Sequence, residues 1–392
     1  MEDAEICRLA EDVLGSITDD LDEATYRPLG GKLSIAWSDK TIYGAFASSP
    51  GQSDKPPQHC ITFYYAFVVQ VWRDAENICD FLRGIPKESG YDKVYDVWGD
   101  RVKLPSCFSK NEQVRNMFVA AITWVYFHEL AHLMQEHGII RAEFGMTGDK
   151  AKKTTDIHDC EVSQEKLIDG REALVSHVTE LAADFEATSF YVTELMRHLM
   201  DPDFATEQER PEVFSGLLYL MVCGISLVFF RFHGNKPFLP AAAVEGSHPH
   251  PLPRLQFLIP QIFEQLDLEI FRADGGYTLD RRQLVVLCSK AAFSATLYWS
   301  VTNTDNHVFD TRFMLRGIFS DVATLQYLQP IVRTWDEILP RIREVRRFGV
   351  DAGLMYFTET ARSRISDLIT WGNGPEANAP AVAPSPRDAG TS

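Results

Sequence analysis

The chain has 392 residues, 45% hydrophobic and 24% charged, an ordinary globular balance that allows one large domain or two smaller ones. Its formal net charge of −17, with the acidic residues spread along the chain, argues against a nucleic-acid partner and against docking on anionic lipid. The seven cysteines form no CxxC pair, which reads as reduced thiols of a cytoplasmic protein.

The N-terminal stretch, residues 1–28, is predicted to be an amphipathic helix and a connector, without the basic start and apolar core of a secretory signal. "PLGG" at 28–31 breaks it. "KLSIAWSD", "TIYGAFASS" and "HCITFYY" read as short strands, the last two separated by the Gly/Pro/Ser-rich loop 48–58. A helix is expected over 64–84, then an irregular stretch to about 108.

"NEQVRNMFVAAITWVYFHELAHLMQEHG" is the clearest helix, with Asn111 as its cap and Gly138 as its C-terminal stop. Residues 141–170 are polar and read as a surface excursion, 172–200 as a second strong helix, and 233–253 as a loop rich in Pro, Gly and His. The run 213–230 has no charge and reaches the lower length limit for a membrane span. Its Gly216, Gly224, Ser215 and Ser226 fit a buried core helix better. Helices with short breaks are expected from 254 to about 371, and the Pro/Ala/Gly-rich tail 372–392 is expected to be disordered.

The chemistry concentrates in "HELAH". On a helix His128 and His132 share one face, where both imidazoles can reach one zinc ion, and Glu129 is placed to take a proton from the water that the ion activates. A third ligand is needed. "HVTELAADFEA" supplies Glu180, and Asp184 one turn on is expected to accept a hydrogen bond from the outer nitrogen of a ligand histidine. Rival ligands are His177, and His158 with Cys160 in the polar excursion. His137 reads as a partner of the helix C-terminus rather than a ligand.

Together "HELAH" (128–132), "ELAAD" (180–184) and "HPHPLPR" (248–254) resemble the gluzincin metallopeptidases, particularly the branch of HtpX and the CAAX prenyl proteases, whose motifs are HExxH, ExxxD and His-Pro-x4-Arg. The match covers about a quarter of the chain. A weaker similarity is to Lit-type phage-exclusion proteases, which act on one specific protein. The resemblance implies an α+β, mostly helical fold with a zincin-like core and a small antiparallel or mixed sheet before the active-site helix. The pattern of elements along the chain reads as one domain over 1–371, in which a sheet-bearing N-terminal region (1–108) is followed by a helical catalytic region (109–260) and a helical C-terminal region (261–371). The resemblance also implies a zinc peptidase with one Zn2+ per chain, Glu129 as general base, and His248 or Arg254 stabilising the oxyanion; His250 is the alternative within "HPHP".

The strands at 41–65 would then supply a sheet edge for an extended peptide, so the expected partner is a peptide or protein substrate. A membrane crossing at 213–230 would put "HELAH" and "HPHPLPR" on opposite sides, which favours a core helix and a chain outside the membrane. A non-catalytic, zinc-stabilised scaffold is the competing reading; Glu129 speaks against it, because a structural site has no use for that carboxylate.

Overall fold

The structure, a computed structural model, describes residues 1–49, 55–84, 104–145, the backbone of 157–160, then 168–201, 206–234, 242–268, 279–303, 321–348, 351 and 353–366. The tail 372–392, most of the stretch 85–108 and much of the excursion 141–170 lie outside the described residues. What is described is mostly helical with one small mixed sheet, an α+β arrangement.

Helix α1 (Asp3–Leu21) buries Ile6, Ala10, Leu14 and Thr18, one residue per turn on a single face. Strands β1 (Lys32–Ser38), β2 (Gly44–Ser48) and β3 (Gln58–Tyr64) follow, then α2 (Tyr65–Gly84). The sheet order is β1-β3-β2-β4, with β1 parallel to β3 and β2 antiparallel to both β3 and β4. The fourth strand, β4 (Ile157–Cys160), comes from the excursion that the sequence assigns to a surface loop. It pairs Gly44 with Cys160 and Phe46 with His158, and β3 is held between β1 and β2, so neither strand of the 41–65 stretch lies at the sheet edge expected to pair with an extended peptide. Strand pairing is non-local, and a four-residue strand between polar segments leaves little trace in the sequence.

Helix α3 (Lys110–Met134) carries "HELAH". Its cap is Ser109, not Asn111. The Ser109 hydroxyl accepts from the Glu112 amide, and the Glu112 carboxylate accepts from the Ser109 amide at 2.7 Å, a complete capping box. Every residue from Ala120 to Gly138 is buried, so the helix enters the interior and stays there. The helix stops at Met134, short of the expected Gly138. Glu136 turns the chain with φ +51°, and α4 (His137–Phe144) starts immediately, placing Gly138 inside it. A glutamate in the left-handed region needs outside support. Arg347 provides it, with a guanidinium–carboxylate pair to Glu136 and a backbone bond from its own amide to the Met134 carbonyl at 3.1 Å.

Helices α5 (Gly170–Met200) and α6 (Arg210–His233) pack on α3. A Cβ added at Gly224 of α6 would lie 2.7 Å from the Met117 carbonyl oxygen and 3.3 Å from Ala121 Cβ, so this glycine sets the close approach of α6 to α3. The region read as a loop to 253 ends early, at α7 (Pro251–Leu266), whose Pro251 occupies the first helical position, where its missing N–H costs nothing. Helices α8 (Arg281–Thr302), α9 (Val322–Val345) and α10 (Glu359–Ser366) complete the fold, α8 packing on α6 and α9 on α5.

The sequence singles out one apolar segment, whereas three described helices are long and apolar enough to cross a membrane: α3, α6 and α8. The His, Thr and Ser residues scattered through α3 and α8 disguise their length as apolar segments. Their apolar windows are 94%, 89% and 61% buried within the protein, respectively.

Two apolar clusters form the core. The larger joins α1, α2, the sheet, α3, α6 and α8; the smaller lies between α9 and the first half of α5. Helix α5 crosses from one to the other, with Val178 and Leu181 in the small cluster and Ala187 and Val192 in the large one. Glu180 and Asp184 sit at that crossing, facing α3 from between two apolar bodies.

Candidate metal centre

Three side chains from two packed helices meet in the interior: His128 and His132 of α3 and Glu180 of α5, each no more than 2% exposed. His128 Nε2 and His132 Nε2 are 3.1 Å apart, and each lies 3.3 Å from a different oxygen of Glu180. Ligand atoms held tetrahedrally at about 2.0–2.1 Å from one cation are separated by roughly 3.3 Å. Two imidazole nitrogens at nearly that spacing, each facing one oxygen of the same carboxylate, form a group able to hold a metal ion.

Two of the donors are in the chemical state a metal needs. Burial dominates at His132 and lowers its pKa to about 4, with Glu180 pulling the other way, so the imidazole is neutral and has a lone pair to give. Burial opposes ionisation of Glu180, but His248 and His132 outweigh it and hold the carboxyl well below the usual carboxylate range. Arg141 of α4 adds a hydrogen bond from Nη2 to Glu180 Oε1 at 2.5 Å, with its Nε on Thr179 Oγ1 at 2.7 Å.

Asp184 stands where the sequence places it. Its Oδ1 lies 3.0 Å from His128 Nδ1, which leaves Nε2 of that ring to face the other donors. Arg254, on the first turn of α7, donates from Nε and Nη2 to the two Asp184 oxygens at 2.7 and 2.6 Å. Burial alone would raise the Asp184 pKa; the Arg254 guanidinium and His128 keep it below the ordinary value. The guanidinium also lies 4.1 Å from the Phe229 ring centre and 4.0 Å from Glu180 Oε2. Two of the Arg254 donors expected to face an oxyanion are thus engaged by Asp184.

His248 and His250 part company. His248 Nε2 is 3.8 Å from Glu180 Oε2, and its Nδ1 is 2.8 Å from Ser247 Oγ, so it borders the group. His250 caps α7, accepting from the Leu252 amide at 3.2 Å, and its ring packs against His233. Glu129 follows His128 on α3 and is fully buried.

The rival His177 is engaged elsewhere, with its nitrogens 3.0 Å from the Tyr327 hydroxyl and 3.1 Å from the Gly246 carbonyl. The side chains of His158 and Cys160 lie outside the described residues. His137 does not decorate a helix end; it opens α4, fully buried, with Nδ1 2.8 Å from His132 Nδ1. Sequence reasoning missed Arg141, Gln135 and Glu186 altogether. The only local signal is the polar "QEH" inside a buried run, which demands partners that a straight helix could not provide.

Compared with family models, curated proteins and solved structures, the chain matches none of them.

Proposed function

We propose that the protein is a zinc-dependent peptidase of the gluzincin type, with a zincin-like core in which His128, His132 and Glu180 hold one Zn2+. The observation that carries this reading is the 3.1–3.3 Å spacing of His128 Nε2, His132 Nε2 and the Glu180 oxygens inside a buried site. A His2Glu donor set is the type that catalytic zinc takes when a fourth position is left for substrate or water. When bound, zinc supplies Lewis acidity, drawing the pKa of water towards neutrality and polarising a carbonyl.

The chain's own residues supply the rest. Glu129, next to His128 on the same buried helix, is the general base that takes the proton from the attacking water and passes it to the leaving amine. Asp184 orients His128, and Arg254 keeps Asp184 ionised and in place. His248 borders Glu180 and is partly exposed, and it is the residue assigned to stabilise negative charge developing on a carbonyl oxygen; with two Arg254 donors held by Asp184, it is the better candidate of the two for that role. The substrate is a peptide or a protein segment, and its approach runs past the partly exposed His248 and Arg141, because the three ligands are closed off from solvent.

Metal analysis of purified wild type beside His132→Ala and Glu180→Ala tests the ligand set: about one zinc per chain is expected in wild type and none in either variant. Incubation with a library of peptides, with new termini read by mass spectrometry, tests the activity. Glu129→Gln is expected to keep its zinc and lose cleavage by at least 100-fold. Zinc retained after loss of Glu180, or cleavage unaffected by Glu129→Gln, sinks the reading.

A further inference from the structure

Behind His132 runs a chain of hydrogen bonds that the ligands and Asp184 do not use. His132 Nδ1 faces His137 Nδ1 at 2.8 Å, and His137 Nε2 faces Gln135 Oε1 at 3.2 Å. Gln135 Nε2 donates to Glu186 Oε2 at 2.6 Å and to the Ala182 carbonyl at 3.4 Å. His132, His137, Gln135 and Glu186 are all at most 1% exposed. At that burial each donor has to meet an acceptor, so the hydrogens along the chain are not independent of one another.

The far end sets the direction. The Ala182 carbonyl can only accept, so the end of the Gln135 amide facing it and Glu186 Oε2 is its NH2, and its oxygen faces His137. The His137 nitrogen facing that oxygen must carry a hydrogen. Neutral His137 then has hydrogen on Nε2 and a bare Nδ1, and His132 has its hydrogen on Nδ1 and a bare Nε2. The reverse assignment sets two lone pairs against each other between His137 and Gln135, where no cation can enter; the chosen one turns the bare Nε2 atoms of His132 and His128, 3.1 Å apart, onto one point, a repulsion that a bound cation relieves. Glu186 is itself held: Arg346 Nη2 lies 3.4 Å from Oε1, and a Cβ at Gly353, which has φ +87°, would come within 3.1 Å of its side chain.

We infer that Gln135 and His137 are positioning residues that lock His132, before any ion arrives, in the one neutral tautomer whose Nε2 lone pair is free to bind a metal. The inference rests on the reading of His132 as a ligand. It also separates the two histidines chemically. His128 is oriented by a carboxylate, which adds negative charge near the ion, whereas His132 is oriented by a neutral ring, which gives direction without charge. A bound ion would therefore keep more of its Lewis acidity than two carboxylate partners would leave it.

The test is nitrogen NMR on metal-free, full-length protein labelled with 15N-histidine, the His132 and His137 signals being assigned by single substitution. In wild type the hydrogen is expected on His132 Nδ1 and on His137 Nε2. His137→Leu and Gln135→Leu should convert His132 to a tautomer mixture. They should also weaken zinc binding 10–100-fold in competition with a chromogenic chelator, at unchanged stoichiometry. His137→Asn, whose carbonyl oxygen can replace Nδ1 as acceptor, should restore both readings. Hydrogen on His132 Nε2 in wild type, an imidazolium at His137, or wild-type tautomer and affinity in His137→Leu each overturns the inference. A wild type with the expected tautomers that takes up no zinc overturns the ligand reading instead and leaves the hydrogen-bond direction standing.

Discussion

One carboxylate oxygen, Asp184 Oδ1, serves two partners at once: it is 3.0 Å from His128 Nδ1 and 2.6 Å from Arg254 Nη2. The pair joins α5 to both α3 and α7, so the orientation of a candidate ligand and the seating of a later helix depend on the same side chain.

Asp184→Asn is accordingly expected to lower zinc affinity by 10–100-fold and to destabilise the protein by about 3–5 kcal/mol, because the buried Arg254 loses its counter-charge. Chelator competition and denaturant unfolding measure the two effects. Pairing Asp184→Asn with Arg254→Met should return most of the stability but none of the affinity. Recovery of both would mean that His128 does not need its carboxylate partner.

The two histidines of "HPHP" should separate in one experiment. His250→Ala removes a helix cap and should cost about 1 kcal/mol of stability with zinc content and cleavage rate nearly unchanged. His248→Ala should keep both fold and zinc while cleavage drops by about 100–1,000-fold, the range for loss of a donor to developing charge. Equal effects of the two on cleavage would contradict the assignment.

Gly224→Ala probes the approach of α6 to α3. A methyl group there meets the Met117 carbonyl oxygen at 2.7 Å, which is backbone and cannot swing aside, so a loss of about 1–3 kcal/mol is expected in urea unfolding. Gly15, with nothing within 4 Å of its would-be Cβ, is the control, and Gly15→Ala should be neutral or mildly stabilising.

Glu186 gives the fold a pH dependence. Burial pushes its carboxyl up to about 7, against Gln135 and Arg346, which pull it down. A carboxyl whose folded pKa lies above its unfolded value binds more protons in the folded state between the two. Its contribution to stability is complete below about pH 4.5 and is lost as pH rises through about 7. Unfolding free energies of metal-free wild type and Glu186→Gln, compared from pH 4.5 to 7.5, should diverge, wild type losing up to about 3 kcal/mol relative to the variant. A constant difference across that window would show that Glu186 does not titrate there.

The portions of the site that local spacing encodes were legible in the sequence. Two histidines four apart and a carboxylate four residues before Asp184 need only helical geometry to fall into place, and α3 and α5 supply it. What escaped was set by distant partners. The end of α3 at Met134, and with it the burial of His137 and Gln135, depends on Glu136 adopting φ +51°, which Arg347 stabilises from 211 residues away. No local pattern marks that turn, and Gly138 offered a plausible but wrong stop. Strand β4 escaped for the same reason, since its partner β2 lies more than a hundred positions earlier.

The Arg347–Glu136 pair also bears on when the site is built during synthesis. A chain emerging from the ribosome displays both histidines, then Glu180, then Arg254, long before Arg346 and Arg347 appear. Until those two arrive, the turn after α3 lacks its clamp and Glu186 its guanidinium neighbour. Closing so long a loop is entropically costly and comes late. On the proposed reading, the turn that buries His137 and Gln135 behind His132 would be clamped only after residues through Arg347 have emerged, so a metal site would be completed late in synthesis.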